Sequence, residues 1–128
     1  MRYNAYCYFM SWVIEFHPEV IDWIQTLGRK DYRSVLAAIE ALKTSGPALG
    51  RPFVDHIKGS KHKNMKELRP PGKGLRLLFA FDTERKALLL VAESKLNDWT
   101  DWYNKNIPVA DLRFDAHLKK IEEAKNDR

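Results

Sequence analysis

The sequence predicts an α+β fold: an N-terminal helical hairpin packed on one face of a small curved, mainly antiparallel β-sheet, followed by C-terminal helices. Three observations predict it. Residues 18–45 place apolar side chains at helical spacing on both sides of one short turn, and residues 53–92 hold short apolar segments between turn residues. Residues 97–121 then return to helical spacing.

The N-terminal half is predicted to contain one strand and two helices. Trp12–Phe16 is a short apolar and aromatic run typical of a strand. Pro18 suits the first turn of a helix that Gly28 should end. Asp31 can cap a second helix, and Gly46 with the proline after it should close that helix. Because the turn between the helices is so short, they should form a hairpin.

The middle of the chain is predicted to form an antiparallel meander. Short strands with short connections favour antiparallel pairing, and glycine, proline and aspartate mark each connection. The predicted strands are Phe53–Lys58, Asn64–Arg69, Leu75–Phe81 and Ala87–Ala92.

The C-terminal part is predicted to be helical. One helix should begin at Asn97 or Asp98, and Pro108 should start another, which ends in a charged tail at residues 119–128. Three aromatic side chains recur at helical spacing, so burial against the sheet is favoured over stacking on bases. They are Trp99, Trp102 and Tyr103.

Composition and length limit the class of protein. With 128 residues, 45% hydrophobic and 30% charged, the chain is expected to be one domain over residues 1–128. No apolar run approaches the roughly 20 residues needed to span a bilayer, so no membrane partner is expected. The opening residues lack a secretory cleavage signal. The single cysteine, Cys7, cannot form an internal disulfide, which fits the cytoplasmic location that we expect.

Positive charge is concentrated between His56 and Arg76. This segment holds seven basic residues against one acid, Glu67, and so carries +6, whereas the whole chain carries +5. Such a concentration is expected of a surface that holds phosphates, although a solvated basic face without a function would look the same. The basic residues are Lys58, Lys61, Lys63, Lys66, Arg69, Lys73 and Arg76.

Three segments carry a family resemblance. They are KGSKHKNMKELR at Lys58–Arg69, RLLFAFD at Arg76–Asp82 and WTDWYNKNIPVAD at Trp99–Asp111. In this order they resemble the phage-derived HigB-like branch of the RelE/ParE toxin superfamily, over about Trp12 to Leu118. Residues 1–11 fall outside the resemblance and are treated as an extension without a function.

The resemblance implies a RelE-like fold and the toxin of a type II toxin–antitoxin pair. Such toxins are enzymes, ribosome-dependent endoribonucleases (mRNA interferases) that cut messenger RNA in the ribosomal A site without a metal and so inhibit translation. The implied partner is a helix-turn-helix antitoxin of the HigA type. Operator DNA would be bound only through the toxin–antitoxin complex.

Arg69 and Arg76 are the candidate catalytic cations. Metal-free RNA cleavage needs a base for the 2′-hydroxyl, cations for the crowded phosphorane and an acid for the leaving 5′-oxygen. A guanidinium suits the cationic role because it can hold two phosphate oxygens. Pairing of the two strands could bring both arginines to one face, which Arg69 should share with Glu67. A structural salt bridge from either arginine to Glu67 or Asp82 is the alternative.

His56 is a further catalytic candidate, because it sits on a predicted strand near this cluster and its imidazole titrates near neutrality. The loop residue His62 is expected to contact phosphate or solvent, whereas His17 and His117 are expected to cap or pack. The histidines and the cysteine show no metal-ligand spacing, so neither a metal nor another cofactor is expected.

Lys95 is the last catalytic candidate. Relatives commonly have glycine, aspartate and lysine after the last strand, where this chain has Glu93-Ser94-Lys95. The lysine is kept, whereas Glu93 adds negative charge near the expected phosphate surface. Other lysines are expected to hold the RNA backbone without reading sequence. They are Lys58, Lys61, Lys63, Lys66 and Lys73.

Two other functions remain open from the sequence. One is a ParE-like protein that inhibits DNA gyrase and needs no RNA chemistry. The other is a non-catalytic module that binds only its antitoxin or nucleic acid.

Overall fold

The strands of the protein form one mixed sheet. A computed structural model describes residues 11–72 and 74–127, and within these ranges there are five strands. They are β1 (Val13–Phe16), β2 (Val54–His56), β3 (Lys66–Leu68), β4 (Leu75–Phe81) and β5 (Lys86–Ser94). Their order is β1-β5-β4-β3-β2, with β1 parallel to β5 and the other neighbours antiparallel. The α+β class and the mainly antiparallel sheet are therefore confirmed, and β4 has the predicted bounds.

Helices cover both faces of this sheet. In the described ranges they are α1 (Pro18–Gln25), α2 (Arg29–Ser45) and α3 (Trp99–Asn126). The predicted hairpin of α1 and α2 packs on one face, called the hairpin face, and α3 packs on the other, called the α3 face. The C-terminal helix α3 thus forms a second helical layer, on the face of the sheet opposite to the hairpin. No helix of the described residues is both long and apolar enough to cross a membrane.

The ends of α1 and α2 differ in part from the prediction. His17 caps α1, as expected, because its Nδ1 accepts an N–H of the first turn at 3.1 Å. The helix ends before Thr26, earlier than predicted. The backbone N–H groups of Thr26 and Leu27 donate to the carbonyls three residues earlier, at 3.0 Å and 3.2 Å, so the α-helical pattern stops here. Gly28 instead precedes α2 as its N-cap. Asp31 lies in the first turn of α2, where its negative charge interacts favourably with the positive end of the helix dipole.

Pro108 does not start a new helix. It lies inside α3, which is one continuous helix of 28 residues, so the predicted break there is wrong. A proline cannot donate to the carbonyl four residues earlier, which weakens a helix locally. Here the proline is exposed, and buried Trp102, Ile107 and Phe114 hold the helix on the sheet on both sides of it. Packing therefore outweighs the lost hydrogen bond.

The central strand β4 is buried on both faces. Leu77 and Phe79 belong to the core beneath the hairpin, and Leu78 and Ala80 belong to the core beneath α3. This double burial explains why the sequence of β4 is almost continuously apolar. The alternation also places Arg76, two residues before Leu78, on the α3 face.

Candidate active site

Arg69 and Arg76 reach one cavity on the α3 face. Glu67 is paired with Leu78 in the β3–β4 register, so Glu67, Arg69 and Arg76 all project to that face. Both arginines line a cavity of about 360 Å³, called the arginine cavity. Its lining residues are His56, Ile57, Lys58, Arg69, Arg76, Tyr103 and Ile107.

A fully buried carboxylate lies beside the two arginines. Glu67 is 0% exposed, although it lies in the most basic segment of the chain. The Nε of Arg69 donates a hydrogen bond to Oε1 of Glu67, and the Tyr103 hydroxyl donates one to Oε2. The Tyr103 oxygen accepts in turn from Nη1 of Arg76. Strands β3 and β4 and helix α3 therefore meet in one hydrogen-bonded network.

The network keeps its donors protonated at neutral pH. The hydrogen bond to Glu67 raises the pKa of Arg69, and the Arg69 side chain remains 43% exposed. Burial and the hydrogen bond to Glu67 raise the pKa of the Tyr103 hydroxyl. At neutral pH Arg69 is therefore a cation and Tyr103 a neutral phenol.

Aromatic rings flank the guanidinium of Arg76. Its central carbon lies 4.4 Å from the centre of the Trp99 ring and 5.6 Å from that of Tyr103, both within cation–π distance. Trp102 is buried in the core beneath α3, so its predicted packing role is confirmed. Trp99 and Tyr103 are only partly buried, and both contact an arginine of the cavity.

A family model described as "Phage derived protein Gp49-like" matches residues 22–115, a range that includes the whole arginine cavity. The chain belongs to the Gp49-like family. The resemblance to HigB-like proteins is confirmed by this match together with two relatives named HigB.

Relatives and solved structures agree with this assignment. HigB2 of Mycobacterium tuberculosis, by name a candidate toxin, is 45% identical over 130 residues, which is 99% of this chain and 64% of HigB2. The chain therefore spans a little under two thirds of HigB2. HigB3 of the same organism, also by name a candidate toxin, is 49% identical over 101 residues, 79% of this chain and 89% of HigB3.

Two solved structures show the same fold. A double arginine-to-alanine mutant of the Escherichia coli toxin RelE has a TM-score of 0.56 at 10% identity, covering 80% of this chain and 96% of RelE. RelE in the RelE–RelB complex of Pyrococcus horikoshii has a TM-score of 0.54 at 17% identity, covering 69% and 99%. At such identities the likeness shows the fold alone, and it confirms the predicted RelE-like architecture.

His56 and Lys58 stand at the edge of the arginine cavity in this Gp49-like protein. The β2–β3 register pairs His56 with Lys66, and it pairs Asp55 with Glu67. The His56 side chain therefore leaves the strand toward the hairpin face, opposite to the arginines, although the residue is exposed at the end of β2. No group of three or more His, Cys, Asp or Glu among residues 11–72 and 74–127 is arranged to hold a metal ion.

Lys95 is directed away from the arginine cavity. Its Nζ lies 2.9 Å from Oδ2 of Asp31 on α2, and it is not among the residues that line the cavity. The backbone N–H of Lys95 donates to the carbonyl of Gly74, which has a φ of +86°. A Cβ on Gly74 would lie 2.9 Å from Cγ of Lys95, so this turn between the two arginines requires glycine.

Glu93 lies next to Arg76. The two residues are paired across β4 and β5, so their side chains share the α3 face. The expected negative charge near the phosphate surface is therefore directly opposite one of the two cations.

The lysine-rich loop before β3 is docked on α3. Ser60 donates its hydroxyl to buried Asp111 at 2.5 Å, and the backbone N–H of Lys61 donates to the same carboxylate at 3.1 Å. The Lys61 ammonium lies 2.5 Å from Oδ2 of Asp115, and Nε2 of His62 lies 2.7 Å from Oδ1. The prediction that His62 contacts phosphate or solvent is wrong, because an aspartate on the neighbouring helix holds its ring.

The remaining lysines have different surroundings. Lys63 is exposed, whereas Nζ of Lys66 lies 5.9 Å from the centre of the Phe81 ring. In the β3–β4 register Lys66 lies opposite Phe79, so its side chain leaves the strand on the hairpin face, away from the arginines. Lys73 lies outside the described residues.

The sequence predicts only part of this hydrogen-bonded network. Glu67 was visible as the one acid of the basic segment, on the face predicted for Arg69, but only as a salt-bridge alternative. Tyr103 was assigned to burial because its helical spacing with Trp99 matches a packing stripe. Its contact with Glu67, 36 positions away in the sequence, depends on how α3 lies on the sheet.

Proposed function

We propose that this Gp49-like protein is the toxin of a type II toxin–antitoxin pair and that it cleaves messenger RNA on the ribosome. The family assignment and the names of HigB2 and HigB3 support the toxin role. The observation that carries the nuclease proposal is the convergence of Arg69 and Arg76 on one open cavity, with Lys58 at its edge. Two guanidinium groups on one face can each hold two oxygens of a phosphate, which suits a bent sugar-phosphate link.

The proposed reaction is an internal transesterification of RNA. The 2′-oxygen forms a bond to the adjacent phosphorus and loses its proton to a base, while the bond from phosphorus to the 5′-oxygen breaks and that oxygen takes up a proton. Arg69 and Arg76 would stabilise the charge of the pentacoordinate phosphorane. His56 is the proposed proton-transfer group, and it would have to turn toward the cavity from the strand end.

The proposed RNA surface surrounds this cavity. Lys58 and Lys63, both exposed, would bind neighbouring phosphates and make the affinity depend on salt. Lys61 is proposed as a further backbone contact, and it would exchange its present carboxylate partner, Asp115, for phosphate. Lys66, on the hairpin face, is proposed as a contact for RNA that extends beyond the cavity. Lys95 remains a proposed catalytic residue, and it would have to leave Asp31 and turn toward the cavity.

The proposed partner is a HigA-like helix-turn-helix antitoxin, and operator DNA would be bound only by the complex of the two proteins. RelE of P. horikoshii was solved with RelB, which supports a proteinaceous partner for a fold of this kind. The proposed location is the cytoplasm, because the proposed target is the ribosome.

Induction of the protein in growing cells tests this function. The wild type should arrest growth and produce messages cut within translated codons, as read by primer extension on ribosome-bound RNA. The Arg69→Ala, Arg76→Ala double variant should do neither, because the phosphorane loses both cations. A matched control is Arg29→Ala, Arg33→Ala, which removes the same charge from exposed positions on α2 and should remain toxic.

Three results would contradict the proposal. Equal toxicity of the Arg69→Ala, Arg76→Ala variant and the wild type would show that the two arginines are not needed for the activity. Cleaved DNA and an SOS response with intact messages would indicate gyrase inhibition instead. Salt-sensitive RNA binding without cut RNA under any ribosomal condition would indicate a non-catalytic module.

A further inference from the structure

We infer that Tyr103 and Glu67 are positioning residues, which hold the guanidinium groups of Arg69 and Arg76 in one phosphate-binding orientation. This inference rests on the proposed function, because it assigns a role at the same site. It concerns residues that do not touch the reacting atoms, and it follows from the hydrogen-bonded network on the α3 face.

Arginine side chains that reach an open cavity need such support. Each has a rotamer entropy of about 2 kcal/mol, part of which is lost when it binds a ligand in one geometry. Glu67 is fully buried on β3, on the α3 face of the sheet, so its carboxylate cannot follow a mobile partner. By taking the Nε hydrogen bond of Arg69, it fixes that guanidinium while the side chain remains 43% exposed.

Tyr103 extends the same support to Arg76. Its hydroxyl donates to Glu67, which directs the lone pairs of its oxygen toward Nη1 of Arg76. The Trp99 ring stacks on the same guanidinium at 4.4 Å. One buried carboxylate therefore orients both arginines, the first directly and the second through a phenol.

The geometry favours positioning over proton transfer for Tyr103. Its proton is already donated to Glu67, and its oxygen already accepts from Arg76. The carboxylate also reduces the repulsion between two guanidinium groups that line one cavity, since the three charges sum to +1. The arrangement is thus assembled before any RNA arrives, as electrostatic preorganisation requires.

Tyr103→Phe tests the inference with the least disturbance. The change keeps the ring and its contacts with Trp99 and removes only the bridging oxygen. In single-turnover cleavage on ribosomes carrying a defined message, we expect the rate to fall about 10- to 100-fold, the usual cost of misplacing a group near the chemistry. The matched control is Tyr32→Phe, at a 43% exposed position on α2, which should cleave like the wild type.

A double-variant comparison separates positioning from general loss of structure. If Tyr103 acts through Arg76, adding Tyr103→Phe to Arg76→Ala should cause almost no further fall in rate. The inference is overturned if Tyr103→Phe lowers the rate by the same factor in both backgrounds. It is also overturned if Tyr103→Phe alone cleaves like the wild type.

NMR of the arginine side chains gives a readout that does not depend on RNA cleavage. In the wild type, the Nε–H of Arg69 and an Nη–H of Arg76 should exchange slowly with water. Tyr103→Phe should abolish the protection of Arg76 and keep that of Arg69, and Glu67→Gln should weaken both. Unchanged protection of Arg76 in Tyr103→Phe would overturn the inference. If these patterns hold but the wild type cuts no RNA, the nuclease proposal fails and the positioning roles stand.

Discussion

Glu67 links both sides of the site, because its fully buried carboxylate accepts hydrogen bonds from Arg69 and Tyr103. Strand alternation alone predicted that Glu67 and Arg69 share a face, because their spacing of two residues is local information. The part played by Tyr103 could not be predicted in this way. It requires the position of a helix that begins after the last strand, and no local pattern encodes that position.

Glu93 provides a prediction at the same scale. Because Glu93 lies directly opposite Arg76 in the β4–β5 register, its negative charge should weaken the binding of a phosphate to Arg76. Glu93→Gln should therefore increase affinity for an RNA oligonucleotide about two- to fivefold, as expected for an exposed charge interaction of up to about 1 kcal/mol. Fluorescence anisotropy at low salt measures the affinity.

The control for Glu93→Gln is Glu84→Gln, which makes the same charge change at an exposed turn position at the opposite end of the β4–β5 hairpin. It should leave the affinity near that of the wild type. Equal effects of the two changes on the affinity would mean that the affinity depends on net charge and not on the position of Glu93 opposite Arg76.

Helix α3 organises the basic loop before β3 as well as the cavity. Composition predicts that Lys61 contacts phosphate and that His62 contacts phosphate or solvent, whereas Asp111 and Asp115 on α3 hold this loop. Composition could not reveal this, because the partners are about fifty positions apart. Packing of α3 on the sheet also explains why this helix continues through Pro108, where local propensity predicts a break.

Asp111→Ala tests the docking of this loop. The change removes the buried acceptor for the Ser60 hydroxyl and the Lys61 N–H, so the free energy of unfolding should fall by about 1–3 kcal/mol. The backbone amide of Lys61 should also lose its protection from hydrogen exchange. Glu122→Ala, at an exposed position on α3, is the control and should change neither quantity measurably. Retained protection at Lys61 would contradict the docking role.

For the whole molecule, a second buried carboxylate joins the sheet to α3. The side chain of Asp82 is 0% exposed, and its Oδ2 lies 2.7 Å from Nε2 of His117 on α3. Its other oxygen accepts the backbone N–H groups of Glu84 and Lys86 at 2.8 Å and 2.9 Å. Burial opposes the ionisation of Asp82, but these hydrogen bonds outweigh it, so its pKa lies below the ordinary value.

This depressed pKa predicts a specific acid sensitivity. A carboxyl group with a lower pKa in the folded state stabilises the fold fully above its ordinary pKa, and this contribution is lost as the pH falls through the depressed value. Asp82→Asn should therefore lower the free energy of unfolding near neutral pH by about 1–3 kcal/mol, the range for a charged hydrogen bond. The difference from the wild type should shrink in acid. Urea unfolding across the pH range measures it.

Asp22→Asn, at an exposed position on α1, is the control for this prediction and should follow the wild type at every pH. A gap between Asp82→Asn and the wild type that stays constant into acid would show that the charge of Asp82 does not contribute.

The contact between Arg76 and Trp99 has a practical consequence. An indole that lies 4.4 Å from a guanidinium emits light in a strongly polar local field. An anion bound to this guanidinium adds negative charge beside the ring, which should change that field and with it the wavelength and intensity of emission. The cavity thus contains its own optical reporter of occupancy, without an attached dye.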